Sequence, residues 1–219
     1  MAEGFRTVYA GGQGEITEKK SRFIATVRHV ESEEEVQAFL DETRKKYWDA
    51  RHNCYAFTIG KNREQTRYSD DGEPSGTAGR PILDVLTGAD LHDTAIIVTR
   101  YFGGVLLGTG GLVRAYSQAA RAGIEGSTVI EKKEGALLRI DTDYQGYGKL
   151  RYMAEEKEIY VYDTEFTEKV SVILLVPEER IREVQDAVTD LSSGRASAET
   201  EKKLCYAMIG GKAEIFSEI

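Results

Sequence analysis

Five glycines, Gly103, Gly104, Gly108, Gly110 and Gly111, lie between two segments of opposite character in "VTRYFGGVLLGTGGLVRAYSQAA" (98–120). Before them, Thr94–Tyr101 has the apolar, β-branched makeup of a buried strand. After them, the stretch near Leu112–Ile124 has helical spacing, and Ala115, Ala119, Ala120 and Ala122 let such a helix lie close on a sheet. A chain passing directly from strand to helix needs residues that accept positive φ and close backbone approach, and glycine supplies both. The free N–H groups and positive dipole end of the following helix favour an anion there. A purely structural tight turn explains the same glycines. GTGGLV has Val113 where a dinucleotide fingerprint needs its third small residue, and no Gly-Lys-Ser/Thr follows. Rossmann and P-loop sites are therefore excluded by pattern.

The segments upstream extend this into a mixed α+β layer. Arg6–Ala10 and Gly14–Val30 read as strands, the second broken by Lys19-Lys20-Ser21-Arg22. Ser32 with Glu35 three residues later forms a capping-box signature, followed by Val36, Phe39, Leu40 and Tyr47 at helical spacing. His52–Ile59 reads as a strand and Pro81–Leu86 as a short helix. The order is βββαβαβα.

From Glu134 the pattern changes. Ala136–Thr142 predicts a strand, Gln145–Lys157 a helix, Ile159–Phe166 and Lys169–Val176 two strands, the stretch after Pro177 a helix, and Glu199–Ile209 a strand. This βαββαβ order is the ferredoxin-like split βαβ. The chain is expected to form two domains, 1–133 and 134–219, with the break at Glu131–Gly135. Charge divides the same way. Residues 1–133 hold 18 Lys and Arg against 19 Asp and Glu, and residues 134–219 hold 11 against 18. The net charge of −8 thus leaves room for a basic face in the first part.

The longest apolar run, Leu204–Ile209, is too short to span a membrane, and no signal peptide is evident at the start. Cys54 and Cys205 lack metal-ligand or CxxC spacing and read as two reduced, mostly buried thiols of a cytoplasmic protein.

A second stretch, "YSDDGEPSGTAGRPIL" (68–83), gathers Asp70, Asp71, Gly72, Glu73, Pro74, Ser75, Gly76, Thr77 and Gly79 in one loop. Its three acids have the oxygen chemistry that magnesium prefers. With no second acidic cluster, capping of helices and satisfaction of loop amides account for them, and neither metal nor cofactor is expected. His52 and Cys54 share one face of a strand, a core arrangement rather than a nucleophile motif. No catalytic residue is assigned. Arg51, Lys61, Arg63, Arg67, Arg80, Arg100, Arg114 and Arg121 are interleaved with Tyr55, Tyr68, Tyr101, Phe102 and Tyr116. Arginine forks with aromatic faces are the ingredients of a nucleic-acid surface, although core aromatics and locally paired arginines give the same composition.

HNCYA (52–56), DDGEPSGTAGRPIL (70–83) and VTRYFGGVLLGTGGLVRAYS (98–117) together closely resemble the YigZ/IMPACT family, across roughly residues 15–125. The resemblance implies an N-terminal domain of the fold shared by the second domain of a small-subunit ribosomal protein and the GHMP kinases. It implies a C-terminal domain similar to the last domain of elongation factor G. It also implies a role around translation, since the eukaryotic relative regulates the amino-acid-starvation kinase pathway through protein contact. The family supplies no catalytic residues to carry over.

The expected function is a non-enzymatic, translation-associated protein that binds RNA, the ribosome or a related protein through a groove in its first domain. Arg80, Arg100 and Arg114 would meet phosphates, with Gly103–Gly111 as the close-approach surface. The alternative is an enzyme holding a small phosphorylated or nucleotide ligand at the 108–111 turn, with Asp70, Asp71 or Glu73 binding a metal or taking a proton.

Overall fold

The computed structural model describes residues 4–218. The chain divides into two compact units, one of residues 5–130 and one that includes 131 onward.

The first unit contains β1 (Phe5–Ala10), β2 (Gln13–Glu18), β3 (Ser21–His29), α1 (Glu33–Lys46), β4 (His52–Ile59), β5 (Gln65–Ser69), α2 (Gly79–Gly88), β6 (Leu91–His92), β7 (Thr94–Tyr101) and α3 (Gly108–Glu125). Five of its strands form an antiparallel sheet in the order β2-β3-β7-β4-β5, and β1 pairs in parallel with β6. Residues 95–98 of β7 form an unbroken apolar run because both faces of the strand are covered. Ile96 and Val98 join Val27, Ala56, Ile82, Leu86 and Tyr116 under α2 and α3. Ala95 and Ile97 join Phe57 and the Val36, Phe39 and Leu40 stripe of α1 on the other side. Alternating side-chain direction along the strand produces this division. Ser32 caps α1 by accepting from Glu35 N–H, and the Glu35 carboxylate reaches back to Glu31 N–H.

The remaining elements are β8 (Thr128–Thr142), α4 (Tyr144–Glu156), β9 (Tyr160–Phe166), β10 (Val170–Pro177), a 3-10 turn (Glu178–Arg180), α5 (Ile181–Ser192), β11 (Glu199–Ile209) and β12 (Lys212–Glu218). In the second unit the strand order is β11-β8-β10-β9, antiparallel throughout, with β12 added outside β11. Helices α4 and α5 cover one face through Leu150, Met153, Val184 and Val188 over Leu138, Ile140, Val172 and Leu174. The result is the expected ferredoxin-like split βαβ with one extra strand.

Three strands are absent from the sequence reading. Strand β5 is an edge with the burial of a solvent-facing segment, so it has no apolar period to read. Strand β6 has two residues. Strand β12 follows Gly210-Gly211, both at positive φ, and that pair flanked by alternating residues is a hairpin signal. The expected break at Glu131–Gly135 is not a loop. It lies inside β8, where Lys133, Glu134 and Gly135 pair with Tyr206, Cys205 and Leu204. Glu131 and Lys133 occupy exposed positions of the strand, while Lys132 is buried between them. Among the described residues, no helix is long and apolar enough to cross a membrane.

Candidate functional site

The acidic loop between β5 and α2 sends its three carboxylates in three directions. Asp70 folds over the start of α2, whose preceding residue, Ala78, has no capping side chain of its own. Oδ1 of Asp70 accepts from Ala78 and Gly79 N–H at 3.0 and 2.8 Å, and Oδ2 accepts from Gly76 N–H at 2.8 Å. Partial burial pushes this carboxyl up, but the amides of Gly76, Gly79 and Ala78 outweigh it and hold it below the usual range. Asp71, at φ +40°, accepts from Asn53 N–H at 2.6 Å and lies 3.6 Å from Arg44, while its carbonyl meets His52 Nδ1 at 2.8 Å. Gly72 and Gly76 supply the positive-φ corners. Thr77 closes the loop by donating to the Pro74 carbonyl at 2.7 Å, and Pro74 and Ser75 face solvent.

Glu73 turns inward. Its side chain is 4% exposed, and Oε1 accepts from Arg100 Nη1 at 2.6 Å and from the Tyr116 hydroxyl at 2.8 Å. Cys54 Sγ lies 3.3 Å from the Tyr116 oxygen and 2.9 Å from the Asp70 carbonyl. Phe23 and Phe102 rings lie 5.4 and 5.6 Å from the Arg100 guanidinium carbon. Burial pushes the Cys54 thiol and the Tyr116 hydroxyl far up, so both stay protonated. A thiol held in that state is no nucleophile. The network ties the loop to β4, β7 and α3 at once.

Arg100 therefore stands differently from expectation. It is a buried cation committed to Glu73, not an open contact for phosphate, and its Nε is buried without a hydrogen-bond partner. It still lines the wall of an open concavity of about 490 Å³ with Asp49, Arg51, His52, Tyr101, Phe102 and Leu106. Tyr116, expected among the surface aromatics, is fully buried. Arg80 is on the surface, paired with Asp84 at 2.8 Å.

The glycine-rich junction makes an exposed surface beside this network. Gly103 packs directly on the β2–β3 hairpin. An added Cβ would lie 2.0 Å from the Lys20 carbonyl carbon, and Gly103 N–H donates to Ser21 Oγ at 3.1 Å. Gly104 and Gly108 turn the chain at φ +83° and +70°. Helix α3 begins at Gly108, four residues before the expected start, so Gly108, Gly110 and Gly111 form its first turn. No side chain caps that turn, it contains no acid, and Gly108, Thr109 and Gly110 are exposed. Arg114 lies on the solvent side, its Nη1 3.7 Å from where a Cβ on Gly110 would sit.

Lys19 and Lys20, which interrupt the strand pattern in the sequence, belong to this surface. They form the two-residue turn between β2 and β3, at φ +44° and +68°. Turns of this kind favour Asn-Gly, and left-handed backbone costs roughly 1–2 kcal/mol at other residues. Lys-Lys lacks the Asn-Gly signature, so the turn is not legible in the sequence. Phe102, Val105 and Leu106 add exposed apolar area, with Leu106 83% exposed.

Two family models match the chain: the Impact N-terminal domain over residues 19–124 and Domain of unknown function (DUF1949) over residues 140–195. IMPACT family member YvyE of Bacillus subtilis is 37% identical over 94% of this chain and 94% of its own. IMPACT family member YigZ of Escherichia coli is 32% identical over 80% of this chain and 87% of its own. A crystal structure described as that of a hypothetical protein aligns over 91% of this chain and 98% of that one, with 29% identity and a TM-score of 0.59.

Proposed function

Because the chain belongs to the IMPACT family, we propose that it is a non-enzymatic, translation-associated protein of the cytoplasm that grips RNA at the open N-terminus of α3. The family resemblance supports the translational setting. The carrying observation is the contrast between two helix starts. The α2 start is filled by the Asp70 carboxylate. The α3 start has no capping side chain and no acid, and carries Arg114 in its second turn. Its preceding loop, at Gly103, abuts the Lys19-Lys20 turn. Free amides, a helix dipole and nearby cations are what a phosphate backbone needs. Arg51 and His52 in the neighbouring concavity extend the same face, and exposed Phe102 offers a ring for base stacking.

The small-ligand enzyme reading draws no support from the acids it would use. Asp70 serves three amides, Asp71 serves Asn53 N–H, and Glu73 serves Arg100 and Tyr116. A protein partner is the second reading, favoured by the exposed Phe102, Val105 and Leu106.

The deciding experiment measures affinity for single-stranded RNA across a salt series. For the Lys19→Ala/Lys20→Ala/Arg114→Ala variant, the slope of log affinity against log salt should flatten by about 0.7 per lost contact, roughly 2 in all. No RNA binding by the unaltered protein at low salt would remove this reading. Salt-insensitive partner binding that Leu106→Asp abolishes would favour the second.

A further inference from the structure

The second unit carries a concavity of about 240 Å³ between the start of α4, the β9–β10 turn and the end of α5. Three cations line it: Lys149, Lys169 and Arg195. Among the described residues, none of them has a carboxylate within ion-pair distance, although Lys169 adds to the positive field around Asp141. Arg195 uses only Nε, donating to the Ser192 carbonyl at 3.1 Å. Arg139, Lys157, Arg180 and Lys203 of the same unit each hold a carboxylate, whereas these three cations gather unpaired around one hollow.

The two acids of the same wall are already engaged. Asp141 accepts from the Ser171 hydroxyl and lies 3.5 Å from Arg139 Nε. Asp143 accepts from Gly146 N–H at 2.6 Å and so fills the start of α4 itself. An incoming anion would therefore be held by side chains, not by the helix terminus. Leu150, Leu191 and Ala196 give the concavity an apolar part.

We propose that this concavity is a binding site for a small organic phosphate, its phosphate held by Lys149, Lys169 and Arg195 and its apolar body on Leu150, Leu191 and Ala196. Several positive side chains without acidic partners around one hollow favour a dianion over a single carboxylate. The volume lies below the ~300–1,000 Å³ of pockets that take drug-sized ligands, which sets the size class. The site stands independently of RNA binding by α3.

The test is a titration of the full chain, followed by backbone amide resonances, with phenyl phosphate, inorganic phosphate and chloride at matched ionic strength. Phenyl phosphate should give saturable shifts at residues 141–150, 169 and 191–196, with affinity roughly tenfold above inorganic phosphate. The Lys169→Glu/Arg195→Glu variant should lose them while keeping its resonance dispersion. Lys149→Gln/Lys169→Gln, which removes charge without reversing it, should weaken binding at least tenfold. Non-saturating shifts, shifts equal to those of chloride, or unchanged affinity in a folded variant would overturn the proposal. Equal affinity for the two phosphates would overturn the organic part of it.

Discussion

Glu73 Oε1 lies 2.6 Å from Arg100 Nη1, with the two side chains 4% and 7% exposed. A loop residue and a strand residue, 27 positions apart, thus form one of the most enclosed ion pairs of the chain. Removing one partner leaves the other charged, buried and unpaired. Glu73→Ala or Arg100→Ala should each cost about 3–5 kcal/mol, and Glu73→Ala/Arg100→Ala less than the two together. Urea unfolding of the four proteins checks this. Additive losses would mean that the pair is not coupled.

Asp70 should impose an acid dependence on stability. Its folded carboxyl is held below its ordinary value by three amides, so its contribution is present above the unfolded pKa of about 3.9. That contribution is lost as pH falls through the lower folded value. Asp70→Asn should lower stability at neutral pH and flatten the decline below about pH 4. Unfolding free energies from pH 2.5 to 7 measure both. A variant with an unchanged acid limb would place the dependence elsewhere.

Adjacent glycines should respond differently to alanine. At Gly103 a Cβ would collide with the Lys20 backbone, whereas at Gly104 it would meet open space at φ +83°. Gly104→Ala should cost about 1–2 kcal/mol through backbone strain alone. Gly103→Ala should cost more, because the hairpin must move. Melting temperatures of the two variants give the order, and a milder effect at Gly103 would contradict the packing.

The expected linker should resist proteolysis. Lys132 and Lys133 lie in β8, and Lys133 pairs with Tyr206. Native trypsin digestion should leave these sites intact while cutting after exposed Arg195, in the irregular stretch between α5 and β11. Mass spectrometry of early fragments reads this directly, and first cleavage at 132–133 would refute it.

Local chemistry determined much from the sequence alone. The glycines placed the sharp strand-to-helix junction, Ser32 and Glu35 set the start of α1, and apolar periodicity located the main helices and the buried strands. Three motifs in fixed order fixed the family resemblance. What the sequence could not carry was which partner each charge would meet. Arg100 and Arg114 look alike in the chain, yet Arg100 is buried against Glu73 and Arg114 faces solvent. Asp70, Asp71 and Glu73 look like one cluster, yet they serve a helix start, a strand amide and a buried arginine. Only tertiary structure decided these roles, because burial and pairing depend on elements distant along the chain. Periodicity and turn chemistry are written within a few neighbouring residues.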